Sequence, residues 1–167
     1  VPVLGGGGHI GFNFANEFFE FEKKGLIVVK CFEYSEYEKI YSELFERIKN
    51  DSKIRRLVVD SFNCFFNSVE SSHSNGFDIK KIIASSFNQL RRFGLTSLLI
   101  LEKGDEHKSN FDYNIPYLVD GMLRFDFLDL GVVERRLFIP KMRWTGQHNG
   151  TRSFDITSKG ISIKEDD

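Results

Sequence analysis

The apolar positions of the chain fall into two rhythms. Four short runs are apolar without alternation: Val1–Leu4, Leu26–Val29, Arg56–Asp60 ("RLVVD") and Leu95–Leu101 ("LTSLLIL"). Unbroken apolarity over strand length suits a strand covered on both faces, as in a parallel sheet. Three stretches between these runs keep a helical period. Phe12–Lys24 places Ala15, Phe18, Phe19 and Glu22 on one face, and Gly25 stops it. Ser35 and Glu38 match a capping box, and the helix they open carries Tyr37, Ile40, Tyr41, Leu44, Phe45 and Ile48 in one stripe. Asp78 can cap a helix bearing Ile79, Ile82, Ile83, Phe87 and Leu90, ended by Gly94. Strands alternating with helices in this way predict an α/β domain with a parallel central sheet.

The last third changes character. Gly121–Phe127, Glu134–Lys141, Ser153–Ile156 and Ile161–Lys164 are short strand candidates separated by turns. "DLGVVERR" and "QHNGTR" read as hairpin connections, the second through Asn149-Gly150. The expected architecture is a three-layer domain whose parallel sheet is extended at one edge by antiparallel strands from residues 121–164. A single domain over 1–167 is expected, without internal repeat or linker, and the acidic end "KEDD" is expected to fray.

Composition narrows the function classes. Hydrophobic residues make up 41% of the 167 and charged ones 28%, the balance of a soluble globular protein. The 18 phenylalanines predict an aromatic core. A net charge of −1 gives no positive field for nucleic acid, so DNA or RNA is not an expected partner. No apolar run reaches membrane-spanning length and no signal-peptide pattern is present, which predicts a cytoplasmic protein with no membrane partner. Cys31 and Cys64 lie in apolar contexts and are expected to be buried free thiols. The histidines at 9, 73, 107 and 148 have no metal-ligand spacing.

Four stretches could carry chemistry. "GGGGHIGFNF", residues 5–14, follows an apolar run and opens a helix, the setting of a phosphate-binding loop. Such a loop aims backbone N–H groups at anionic oxygens, with a lysine to neutralise charge and a hydroxyl to hold magnesium. Gly6, Gly7, Gly8, Gly11 and Asn13 are the candidate contacts. Counting by motif spacing puts Phe12 and Asn13 where Lys and Thr belong, and counting back from the helix puts Gly11 and Phe12 there. Neither register offers a cation, and a plain glycine turn explains the stretch equally. "LVVDSF", residues 57–62, ends a buried strand on Asp60 and Ser61, where a carboxylate can order magnesium or its water, or simply cap a turn. Glu33, in "CFEYSE", lies just past a strand's carboxyl end, where open α/β sheets build sites, and could activate a water. The other reading is a solvated acid near a helix N-terminus. Lys141 and Arg143 alternate in "PKMRW", so both are expected on one face of an edge strand with Met142 buried opposite. They are either ordinary solvated cations or a cationic finger for a phosphate, in a neighbouring subunit by one reading.

In chain order these pieces resemble one family, the KaiC-like branch of the RecA superfamily of ATPases, found in archaea and cyanobacteria. The resemblance runs through "NFANEFF", "VVKCFEYSEYEKI" and "LVVDSF", and is most specific in "YLVDGMLRF", "ERRLFIPKMRWTGQH" and "RSFDITSKGISI". Members end with a "VDG" strand, a "K-M-R-G-T-x-H" strand and a "P-F-x-I-T-x-x-G-I" close. The chain departs from that pattern at the lysine and hydroxyl of the phosphate loop and at one of two paired glutamates, of which Glu33 remains. It departs again at "RWTGQH", which reads as an insertion that puts His148 one residue late. The resemblance also implies a segment before the first strand that packs on the nucleotide base. It gives Asp60 the Walker B role and Glu33 the remaining catalytic-type carboxylate. Lys141 and Arg143 then resemble residues that touch ATP bound to an adjacent subunit.

The expected function is therefore a regulatory or scaffold pseudo-ATPase. ATP and magnesium would be its only cofactors, weakly held, and its partner another copy or an active paralogue. Two alternatives stand beside it, a slow ATPase and a recombinase-like DNA-binding accessory protein. "NCFFNSVESSHSNG" and "EKGDEHKSNFDYN", read as the loops that would face DNA, are polar to acidic and speak against the last.

Overall fold

In a computed structural model the described residues are 15–31, 37–72, 76–102, 114–129, 131, 133–146 and 150–164. Their elements run α1 (Ala15–Lys23), α2 (Tyr37–Asn50), β1 (Arg56–Val59), α3 (Phe62–Ser72), α4 (Gly76–Arg92), β2 (Thr96–Leu99) and α5 (Ile115–Leu118). Four strands follow, β3 (Gly121–Asp129), β4 (Val133–Met142), β5 (Arg152–Thr157) and β6 (Gly160–Ile163). Two compact units result: Phe32–Val119, and Val1–Cys31 with Asp120–Asp167. The mixed α/β architecture is the expected class.

The core of the first unit is set by residues 62–69. Phe62, Phe65, Phe66 and Val69 recur at i, i+3, i+4 and i+7, which gathers them on one helix face. That stretch is a helix, α3, where the resemblance led to the expectation of a DNA-facing loop. The polar side chains of "NCFFNSVESS" occupy the other face. The apolar face packs on Ile79, Ile83 and Phe87 of α4 and on Ile115 of α5, and Val69 and Ile83 are completely buried. Phe62 lies edge-on to Phe66 at 4.8 Å and to Phe87 at 5.8 Å between ring centroids. Each such side chain contributes about 1.5–3 kcal/mol of burial free energy. On α2 the expected stripe buries Phe45 and Ile48. Helix α4 starts three residues earlier than expected, so Asp78 sits in its first turn, where the helix dipole favours a carboxylate. Gly94, at φ 65°, ends α4 as Gly25, at φ 66°, ends α1. In each the glycine N–H turns back to a carbonyl three residues earlier, of Arg91 and Glu22.

Strands β1 and β2 pair in parallel from Arg56↔Thr96 to Val59↔Leu99. Val59 and Leu99 rest on the aromatic core, whereas Val58 and Leu98 are exposed at 59% and 57%. α3 and α4, which lie between β1 and β2 in the chain, both pack on the Val59–Leu99 face. The strand expected at Leu26–Val29 is corrected. It carries no strand ladder among the described residues, and Leu26 is 69% exposed. The Leu26 and Ile27 N–H groups turn back instead to the Phe21 carbonyl, at 2.9 and 3.4 Å. Val1–Leu4 and the Ser35 cap lie outside the described residues. Neither thiol is buried: Cys31 follows that segment, and Cys64 is on the polar face of α3. Phe19, read on one face of α1 with Ala15, Phe18 and Glu22, is also exposed.

The second unit holds the four antiparallel strands in the order β3-β4-β5-β6, a sheet of its own that does not continue the parallel ladder among the described residues. Pairing alternates its two faces. One is polar, with ion pairs Arg124–Asp126, Arg136–Glu134 and Lys164–Asp155. The other carries Phe125, Phe127, Val133, Ile156, Ile161 and Ile163, all exposed, around the buried Phe154. Between Met122↔Lys141 and Arg124↔Phe138 the register shifts, so Ile139 and Pro140 oppose Leu123 alone. A bulge is where a proline, having no N–H to donate, fits inside a sheet.

Truncation of Phe66, 3% exposed, to alanine is expected to destabilise the chain by about 3–5 kcal/mol. Cys64→Ala, on the opposite face of α3, should stay within about 0.5 kcal/mol, and urea unfolding of both variants checks the helix and its orientation. The polar sheet face gives a pH expectation. Hydrogen bonds donated by the Ser153 hydroxyl and by Arg136 hold the Glu134 carboxyl below the usual glutamate range, helped by the charges of Arg136 and Lys164. A lowered folded value means the contribution is present above the unfolded value and is lost as pH falls through the folded one. Carboxyl NMR should place Glu134 below ordinary glutamate, and Ser153→Ala should move it upward.

Candidate functional site

The carboxyl ends of β1 and β2 form the first cluster. Beyond Val59 the chain turns through Asp60 and Ser61, joined by a cis peptide, directly into α3. The Ile100 N–H donates to the Val59 carbonyl at 2.9 Å, and the Phe62 N–H donates to the Ile100 carbonyl at 2.8 Å. Asn63 adds a reciprocal pair. Its Nδ2 donates to the Glu102 carbonyl at 3.1 Å, and its Oδ1 accepts from the Glu102 N–H at 2.8 Å. The turn is therefore tied at four points to the end of β2. Asp60 is exposed and Ser61 half-buried at the edge where parallel sheets place their sites. Two oxygen-bearing side chains suit a hard cation such as magnesium, which keeps several waters and takes the rest of its shell from phosphate. Among the described residues no group of three or more His, Cys, Asp or Glu side chains is placed to hold a metal.

The second cluster lies in the other unit. Gly121 pairs with Met142 and Met122 with Lys141, so "VDG" and "KMR" meet across one ladder. A Cβ on Gly121 would stand 2.8 Å from the Met142 Sδ, which leaves this position to glycine. The Arg143 N–H donates to the Asp120 carbonyl at 2.8 Å, and the Arg143 guanidinium pairs with the Asp120 carboxylate at 3.1 Å. Lys141 and Met142 are both half-buried, and Arg143 lies past the strand end. β5 pairs with β4 at Arg136 and Leu137, which makes β4 interior there, while the end that carries Lys141 and Met142 has a ladder with β3 alone among the described residues. Trp144 follows at φ 63°, a backbone conformation natural to glycine, so an indole occupies a glycine-type position in the turn.

Of the residues named from sequence, Gly6, Gly7, Gly8, Gly11, Asn13 and Glu33 lie outside the described residues. Asp60 and Ser61 are brought together in one unit, Lys141 and Arg143 in the other. Sequence reasoning missed Asn63 and Asp120. Asn63 had a local signal, an amide directly behind "DSF", but its partner is 39 residues away. Asn63→Ala removes both bonds to Glu102 and is expected to cost about 1–3 kcal/mol. Denaturant unfolding measures the loss, and faster hydrogen exchange at the Glu102 amide locates it.

Comparison with known proteins gives one answer by three routes. The family described as ATPase: KaiC matches residues 13–167. A UPF0273 protein of Thermotoga maritima is 28% identical over 86% of this chain and 64% of its own length. A UPF0273 protein of Pyrococcus horikoshii is 27% identical over 75% of this chain and 49% of its own. The chain thus spans about half to two-thirds of these curated relatives. The crystal structure of a KaiC-like protein from Pyrococcus horikoshii superposes with a TM-score of 0.68 at 21% identity, covering 89% of this chain and 64% of that one, which fixes the fold as RecA-type. With the Asp60 turn at the carboxyl ends of a parallel pair and "VDG" laid against "KMR", the chain belongs to the KaiC ATPase family.

Proposed function

We propose that this chain is a regulatory or scaffold member of the KaiC ATPase family that hydrolyses little or no ATP. One observation carries the reading: the Asp60–Ser61 turn is tied to the end of β2, while the glycine loop offers neither lysine nor hydroxyl in either register. In this reading backbone N–H groups of Gly6, Gly7, Gly8 and Gly11, with Asn13, supply the only local contacts to phosphate. Phe12 stands in the sequence where a cation or hydroxyl is needed and supplies neither. Asp60, with Ser61 beside it, would hold magnesium or its water, and Glu33 would face the attacking water. With no cation behind the loop, the phosphate charge is poorly compensated and ATP binding is weak.

Lys141 and Arg143 gain a purpose if they serve a nucleotide in a neighbouring subunit, either another copy or an active paralogue. The Asp120 ion pair and the backbone bond from Arg143 support this by fixing the guanidinium in place. A slow ATPase is the second reading, favoured by the intact Asp60 turn. DNA binding has weaker support, since one segment read as a DNA-facing loop is the packed helix α3. No helix among the described residues is long and apolar enough to cross a membrane.

Calorimetric titration with ATP and magnesium is expected to give no saturable binding, or a Kd of about 1 mM or weaker. Installing Lys-Thr at residues 11–12 or at 12–13 should tighten binding at least about tenfold in one of the two registers, roughly 1.4 kcal/mol. Tight binding by the unmodified chain would contradict the reading, and two inert Lys-Thr versions would show a pocket lost beyond its cation.

A further inference from the structure

The net charge of −1 conceals an uneven distribution. Residues 46–56 hold Arg47, Lys49, Lys53, Arg55 and Arg56 against Glu46 and Asp51, and Arg91 and Arg92 close α4. The fold of the first unit gathers these segments at one edge. Arg56 pairs with Thr96 where β1 and β2 begin, and the Thr96 N–H donates to the Arg55 carbonyl at 3.1 Å. Phe45 of α2 stacks on Phe93, which directly follows α4, with ring centroids 5.8 Å apart, so both helices end together. This edge is opposite the one that carries Asp60, past the carboxyl end of β1.

Helix ends account for part of this charge. Arg47, Lys49, Arg91 and Arg92 lie in the last turns of α2 and α4, where cations offset the negative end of the dipole. Arg91 also donates to the Leu118 carbonyl. Lys53, Arg55 and Arg56 lie in neither helix, and their charges add to the others. Arg47, Lys49, Lys53, Arg55, Arg56 and Arg92 are all exposed, and none has a carboxylate partner among the described residues. The Asp51 carboxylate is taken up by its own turn, where it accepts the Lys53 N–H at 3.0 Å. Like charges held together uncompensated disfavour the isolated fold, and an anionic partner removes that cost.

Two features select the partner's chemistry. Arg47, Arg55, Arg56 and Arg92 offer guanidinium forks, which match carboxylates in bidentate pairs. Phosphates share that match, but a nucleic-acid strand also takes aromatic rings for its bases, and the Phe45 and Phe93 rings at this edge are stacked on each other. Glu38, Glu43 and Glu46 run back along α2, so a long duplex or a broad bilayer meets repulsion beyond the edge, whereas a short segment does not.

We propose that this edge docks a short acidic segment of a partner protein, through Arg55 and Arg56 and the cations at the two helix ends. The surface goes beyond the proposed function and stands without it, since it uses none of the residues of the Asp60 edge. It gives a regulatory or scaffold subunit a place to hold a partner away from that edge.

A fluorescein-labelled peptide of alternating glutamate and glycine is the probe, followed by fluorescence anisotropy with the whole chain. It is expected to bind at low salt and to bind less as salt rises. The double variant Arg55→Glu with Arg56→Glu should weaken binding at least about tenfold, roughly 1.4 kcal/mol. Arg55→Gln with Arg56→Gln, which keeps the bulk and polarity of the pair, should weaken it in the same direction. Lys24→Glu with Lys159→Glu changes net charge as much as the first variant, at exposed positions of the other unit, and should leave binding unchanged. The proposal is overturned if the peptide does not bind, if the Lys24 and Lys159 pair weakens it as much, or if Arg55 and Arg56 are replaced without effect. It is overturned too if duplex DNA, or vesicles of phosphatidylserine and phosphatidylcholine, bind the unmodified chain more tightly than the peptide and are lost in the Arg55 and Arg56 variants. That result would make nucleic acid or a membrane the occupant. Failure here leaves the pseudo-ATPase reading standing, and tight ATP binding, which ends that reading, leaves this surface standing.

Discussion

The hydrogen bond from the Phe62 amide to the Ile100 carbonyl is the joint on which the first unit depends. It fastens the first turn of α3 to the end of β2, one residue after Asp60 and Ser61 have turned the chain out of β1. With the helix start fixed there, its apolar side chains can only project onto α4, and Phe62, Phe65, Phe66 and Val69 close the core. The same joint leaves Asp60 outside that core, at the strand ends. Asn63 doubles the fastening through Glu102, so the aromatic packing and the position of the carboxylate are set by one short segment.

This arrangement separates two kinds of stability. Folding rests on apolar burial and backbone pairing, which ask nothing of the phosphate loop. Nucleotide chemistry rests on charge compensation, which a lysine and a hydroxyl would supply and Phe12 and Asn13 do not. In the proposed reading the chain keeps the fold of the KaiC ATPase family and the pairing of "VDG" with "KMR", while its own loop is poorly equipped to hold ATP.

Much of the fold was legible where one period dominated. Helices α2 and α4 and the four antiparallel strands announced themselves through stripes and turn residues, and β1 and β2 through short apolar runs. α3 was not read, although its 62, 65, 66, 69 spacing is regular, because serines and asparagines fill the face that points away. Leu26–Val29 misled in the opposite way: hydrophobicity alone does not provide a ladder partner. In the candidate site, the position of Asp60 and Ser61 just past β1 was legible from the apolar strand before them. The roles of Asn63 and Asp120 were not, since each depends on a partner 39 or 23 residues distant. The left-handed backbone at Trp144 is a property no residue pattern displays.

The central claim is that this fold persists without the chemistry of its family. Phosphate release from ATP with magnesium, measured for the purified chain beside Asp60→Asn, tests it most directly. The account predicts release no faster than the protein-free control, and the same for both proteins. Steady turnover by the unmodified chain that disappears in Asp60→Asn would contradict it.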